Sequence, residues 1–169
     1  LTFGPETEGT GEVSAMITST KLVLESGDMI GAASYVEFTA AAAEGYEVAD
    51  WLVNGISQGV AEKIFAYKVP KDTRVDVRAV FDRPVYKITW SADGAGQIEA
   101  ENVTADEVLE GNSAQIRGDR ELKFTAIPDL YMECTGYTVK TAEGTKDYTA
   151  EELGSNVFVV DKVASDIDV

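Results

Sequence analysis

The sequence predicts a mainly β chain, with α+β as the alternative, on three observations. Apolar and polar residues alternate with period two in several short runs, helical periodicity is scarce, and turn residues punctuate the runs. Val36, Phe38 and Ala40 alternate with Glu37 and Thr39. Val75, Val77 and Ala79 alternate with Arg74, Asp76 and Arg78, and Tyr86-Lys87-Ile88-Thr89-Trp90 follows the same rule. Each run reads as a strand with one buried and one wet face.

Turns are marked in chain order by Gly9-Thr10-Gly11, Ser26-Gly27-Asp28, Asn54-Gly55, Asp93-Gly94 and Glu110-Gly111. Between Glu44-Gly45-Tyr46 and Asn54-Gly55 lies a strand centred on Trp51. Ala49, Trp51 and Val53 share one parity there, and Tyr46 and Val48 share the other; a β-bulge would reconcile the two sets. The best helix candidate runs from Asp147 to Gly154, where Thr149 and Glu152 make a capping box and Gly154 a C-terminal stop.

An internal repeat organises these elements. Gly9 to Ala15 lies over Gly94 to Ala100 at a shift of 85 residues, and Val36 to Val53 over Leu122 to Val139 at 86. Val75-Asp76-Val77 matches Ile167-Asp168-Val169 at 92, so the second copy carries about six extra residues within 140–163. The units are residues 1–83 and 84–169, joined at Asp82-Arg83-Pro84-Val85.

Composition removes several function classes. The net charge of -16 argues against nucleic acid and anionic membrane surfaces as partners. There is no His, which excludes a Ser-His-Asp triad, a Cys–His pair and the commonest zinc ligand. Cys134 is the single cysteine, so no internal disulfide forms. No run approaches the ~20 apolar residues of a membrane-spanning helix. The chain begins at Leu1 without a signal-peptide pattern, and reads as a piece of a longer precursor.

Four segments in order carry a family resemblance: Val36-Glu37-Phe38-Thr39-Ala40, Glu44-Gly45-Tyr46, Trp51-Leu52-Val53-Asn54-Gly55, and Asp72 to Phe81. Together they resemble the divergent internalin-B-type B-repeat, which occurs in tandem in large bacterial surface proteins. The second unit departs from it: Leu130-Tyr131-Met132 stands for Glu-Gly-Tyr, Tyr137 for Trp51, and Lys140-Thr141 for Asn54-Gly55, and its last strand is shortened. The resemblance implies a β-grasp-like unit or a compact β-sandwich, a bacterial extracellular, wall-linked setting, and no catalytic residues.

The candidate site residues divide between structural and binding readings. Trp51 is expected to fill the unit's core, because Tyr137 keeps a large aromatic there; the alternative is an exposed platform for a sugar ring. Trp90 is in phase with Tyr86 and Ile88, and its counterpart at a shift of 85 is Pro5. It is expected in core or inter-repeat packing, again with a glycan platform as alternative. Cys134 aligns with Val48 and is expected to behave as a small buried hydrophobe. Asp93 to Glu99 is the nearest approach to a calcium loop but lacks dense Asp/Asn spacing, so it is read as a solvated turn; Asp161, Asp166 and Asp168 are read as solvated charges. A carboxylate pair of the glycosidase kind needs a cleft that a unit of roughly 85 residues has little room to build.

The expectation is therefore a non-enzymatic structural or adhesive segment, a stalk or spacer, of a bacterial cell-surface protein. No cofactor and no metal are expected. The partners would be neighbouring repeats, with a host protein or glycan in an adhesive role. A carbohydrate-binding module using Trp51 or Trp90 is the alternative. A third reading, strand addition from another protein, places an open edge at the closing strand, 163–169.

Overall fold

Alternation of apolar side chains fixes which face of each strand turns inward, and two layers of strands then bury those faces against each other. A computed structural model describes residues 1–31, 33–71 and 73–169. Asp72, at the head of the fourth resembling segment, lies outside the described residues. The chain is mainly β and divides into two compact units, Leu1–Arg83 and Pro84–Val169.

Unit 1 contains β1 (Thr2–Pro5), β2 (Gly11–Ile17), β3 (Leu22–Leu24), β4 (Tyr35–Ala42), β5 (Glu47–Val53), β6 (Ile56–Ser57), β7 (Ile64–Lys68) and β8 (Asp76–Asp82). They form two four-stranded sheets, ordered β1-β8-β5-β6 and β3-β2-β4-β7. All pairings are antiparallel except β1 with β8, which run parallel with Phe3 opposite Val77. Val36, Phe38 and Ala40 turn inward from β4, and Val77, Ala79 and Phe81 from β8. The sheets meet through aromatic rings. Trp51 of one sheet stacks on Phe65 of the other at 5.4 Å between centroids and lies 6.2 Å from Phe38. The unit is thus a sandwich around a single core.

The parity conflict in β5 is resolved by a bulge. The β5–β8 register slips between Val48 and Asp50, so Val48, Trp51 and Val53 are all buried while Ala49 is exposed. Asn54 and Gly55 both take positive φ, 51° and 78°, and close the β5–β6 hairpin. Two left-handed residues give a turn whose twist matches its strands.

Unit 2 contains β9 (Val85–Thr89), β10 (Gly96–Asn102), a 3-10 turn (Val103–Ala105), β11 (Glu107–Leu109), β12 (Ser113–Arg117), β13 (Leu122–Pro128), β14 (Gly136–Thr141), β15 (Gly144–Thr149), α1 (Ala150–Leu153), β16 (Val157–Val160) and β17 (Ile167–Asp168). Its sheets are ordered β11-β10-β13-β16 and β12-β9-β17-β14-β15. The pairings of the β11-β10-β13-β16 sheet follow those of the β3-β2-β4-β7 sheet at its centre. Ala15↔Phe38 and Phe38↔Phe65 have counterparts in Ala100↔Phe124 and Phe124↔Phe158. The shift grows from 86 at Val53/Val139 to 93 at Phe65/Phe158, so seven residues are added between those points. They lengthen β15 and form α1.

The helix is shorter than Asp147–Gly154. Asp147 and Tyr148 stay in β15, where they pair with Thr138 and Tyr137, and the Tyr148 ring packs 4.8 Å from Phe158. The helix starts where the capping box acts. Glu152 N donates to Thr149 Oγ1 at 3.2 Å, Thr149 N donates to the Glu152 carboxylate at 2.8 Å, and Gly154 ends the turn at φ 65°. A helix of four residues spans only ~6 Å, too short to lie across a sheet as a β-grasp requires. The sandwich is the architecture observed.

Two expectations change here. Val169 N donates to Thr89 O and Ser91 N donates to Val169 O, which sets Val169 beside Trp90 just as Val77 lies beside Phe3. Trp90 contacts Phe124 at 6.2 Å, as Phe3 contacts Phe38 at 5.8 Å. The counterpart of Trp90 is therefore Phe3, at a shift of 87, not Pro5. Unit 1 has two more residues between its first and second strands, and an ungapped comparison hides this slip. The closing strand is also no edge: β17 lies between β9 and β14.

Candidate functional site

Function at a surface needs groups that point outward or into a cleft, so the fate of each candidate depends on which face its strand presents. Trp51 is 0% exposed, and its Nε1 donates to Glu62 O at 2.8 Å. Trp90 is 3% exposed. Stacking on a sugar needs an open ring face, and neither indole has one. The glycan-platform alternative for Trp51 and Trp90 is corrected on that ground, because both rings are interior parts of the two sandwiches.

Tyr137 repeats the Trp51 arrangement with different chemistry. Its hydroxyl donates to Asn156 O at 2.7 Å and accepts from Ala126 N at 2.8 Å. Burial pushes this phenol up to about 12, so it stays neutral at physiological pH. In both units an aromatic polar tip ties the β5 or β14 layer to the backbone just before β7 or β16.

The carboxylates with displaced pKa values also serve the frame. Asp50, at the bulge, accepts a short hydrogen bond from the Ser57 hydroxyl and further bonds from Trp51 N at 2.7 Å and Val60 N at 3.2 Å. The Ser57 bond is the largest cause holding its pKa below the usual value. At Asp76, partial burial opposes ionisation, but bonds from Arg78 (2.9 Å) and Thr2 (2.6 Å) outweigh it and lower the pKa. Asp168, its counterpart, is lowered chiefly by the Thr89 hydroxyl (2.8 Å) and then by Lys140 (3.3 Å). Asp166 accepts from Lys87 N at 2.8 Å. Asp166 and Asp168 are thus structural acceptors rather than merely solvated charges.

Asp93 and Gly94 are exposed in the β9–β10 connection, while Gln97 to Glu99 lie in β10 opposite β13. Among the described residues, no group of three or more His, Cys, Asp or Glu is arranged to hold a metal ion.

One concave feature was not visible in the sequence. A cleft of about 870 Å³ opens in unit 2, and its lining includes Asp93, Ile98, Ala126, Cys134 and Tyr137. Cys134 lines it and is half-buried rather than buried. Val48, its counterpart, pairs with Phe81, and β17 has no such pairing opposite Cys134.

Compared with protein families, curated proteins and solved structures, the chain has no match.

Proposed function

We propose that this chain is a non-enzymatic structural segment, a stalk or spacer, of a bacterial cell-surface protein. The observation that carries the reading is a duplicated frame. The Thr2–Asp76 bond of unit 1 has its counterpart in Thr89–Asp168, and the Trp51 bond to Glu62 O has its counterpart in Tyr137 to Asn156 O. What recurs from unit to unit is core and scaffold, as in arrays whose repeats serve length and spacing. The bacterial, extracellular setting rests on the B-repeat resemblance of residues 36–81. The net charge of -16 supports solubility of a long array and discourages pairing between strand edges. Its partners are neighbouring repeats of the same polypeptide.

The test is small-angle scattering on one, two and four concatenated copies of residues 1–169. A spacer gives a radius of gyration that grows nearly in proportion to copy number. Growth with only the ~0.38 power of length, as in a single globule, would overturn the reading.

A further inference from the structure

We propose that the Arg117-Gly118-Asp119 turn of unit 2 is an adhesion site, bound by a receptor that sets an acidic groove beside a divalent cation. Arg117 ends β12, the outermost strand of its sheet, and is exposed, while Ile116 before it is buried. Asp119 is also exposed and takes φ 67°. Two residues apart, their α-carbons lie within about 7 Å of each other. Gly118 between them is buried, and a Cβ there would lie 3.2 Å from the Tyr86 ring. A guanidinium and a carboxylate are thus presented on either side of a residue that has no side chain.

Unit 1 contains the same turn without the charges. Asp119 N donates to Val163 O at 2.8 Å and Val163 N to Arg120 O at 2.9 Å. Likewise Ala33 N donates to Val69 O at 3.1 Å and Val69 N to Ser34 O at 2.9 Å. Ala33 takes φ 60°, beside 67° for Asp119. At the same shift of 86, Gly31 stands where Arg117 stands. The frame therefore closes this turn without a charged residue, and packing does not require Arg117 or Asp119. In unit 2 the turn is also tied to the residue before β9, because Gly118 N donates to Pro84 O at 2.8 Å. Backbone held from two sides has little freedom left to lose on binding, which favours affinity.

The charges define the receptor chemistry. Arginine presents a planar fork that carboxylates accept through two parallel bonds. A carboxylate is a hard oxygen ligand for magnesium, calcium or manganese ions. Asp119 alone supplies at most two of the roughly six oxygens such an ion takes, so the ion belongs to the receptor. Asp119 Oδ1 lies 3.0 Å from Lys162 Nζ, with the two side chains 35% and 53% exposed. An ion pair this open contributes little and gives way to a divalent ion. Arg117, Arg120 and Lys162 balance Asp119, Glu121 and Asp161 here, on a chain of net charge -16. An acidic groove meets less repulsion at this corner than over the rest of the surface. The site rests on the extracellular setting proposed above, not on the spacer role; the scattering measurement decides the one and attachment of cells the other.

The test coats surfaces with the whole 169-residue chain and counts the cultured fibroblasts and platelets that attach in manganese or in EDTA. The expected result is attachment in manganese and none in EDTA. Asp119→Asn keeps a residue suited to positive φ but removes the charged ligand. It is expected to raise the coating density for half-maximal attachment more than about tenfold, at an unchanged Tm. Arg117→Gln is expected to do the same. Lys162→Gln removes only the competing cation and is expected to preserve attachment. No attachment of either cell type, attachment that survives EDTA, or attachment unchanged by Asp119→Asn would overturn the proposal. Loss of attachment in Lys162→Gln would also overturn it, because the effect would then belong to the shape of the ion pair rather than to the carboxylate.

Discussion

At positions 51 and 137 the two units solve one packing problem with different residues. Each needs a large ring at the centre, and each ring carries one polar atom that a dry core must satisfy. Trp51→Ala removes the ring that touches both Phe38 and Phe65, and is expected to cost about 3–5 kcal/mol. Tyr137→Phe keeps the ring but removes the hydroxyl bonded to Ala126, Phe124 and Asn156, and is expected to cost about 1–3 kcal/mol. Urea unfolding at neutral pH checks both. The sequence showed that an aromatic recurs at this position, which was enough to assign it to the core. It did not show the partner of the polar tip, because Glu62 and Asn156 both lie beyond the seven-residue length change and are one residue out of equivalent register. Asp50 makes a separate prediction. Its folded-state pKa is depressed, so its contribution is present above the unfolded value of about 3.9 and is lost as pH falls through the folded value. The stability gap between the native chain and Asp50→Asn is therefore expected to hold from about pH 6 to about pH 4 and to narrow below that, as measured by denaturant titration across the range.

At the level of elements, alternation, turn residues and capping chemistry were legible because each is written in neighbouring residues. The β4 and β8 faces, the Asn54-Gly55 hairpin and the Thr149–Glu152 box all have this local origin. The Trp90 pairing was not legible, because parallel contact of β9 with β17 joins residues nearly 80 positions apart and the repeat slips by two residues in the intervening turn. The boundary of α1 failed for a related reason: cross-strand pairing held Asp147 and Tyr148 in β15 against a local helix signal. Hairpin closeness also dictates one glycine. A Cβ on Gly136, whose φ is +151°, would lie 2.1 Å from the Tyr148 carbonyl oxygen. Gly144→Ala, at φ +134° in open space, meets only the backbone penalty of about 1–3 kcal/mol for that conformation. Gly136→Ala is expected to cost clearly more, because backbone must move as well. Fluorescence of Trp90 in a Trp51→Phe background isolates unit 2 and ranks the two variants.

For the whole molecule, the chain invests its similarity in the frame and its differences in the edges. Phe38 and Phe124, Trp51 and Tyr137, and Asp76 and Asp168 hold equivalent places, while the longer β15, α1 and the added β12 distinguish unit 2. Both units also join their first and last strands side by side and parallel, β1 with β8 and β9 with β17. This has a mechanical consequence. When the ends of unit 1 are drawn apart, β1 and β8 slide along each other, and the bonds that run from Thr2 to Glu6 must rupture together. A hairpin tugged at its open end instead unzips bond by bond. Forced unfolding reports the barrier out of the native state rather than the equilibrium stability. Single-molecule pulling through Leu1 and Arg83 is therefore expected to need a higher rupture force than pulling the same unit across the Val53–Ile56 hairpin at Glu47 and Lys63. Equal forces in the two directions would show that the shared parallel seam does not set the strength of the unit under tension.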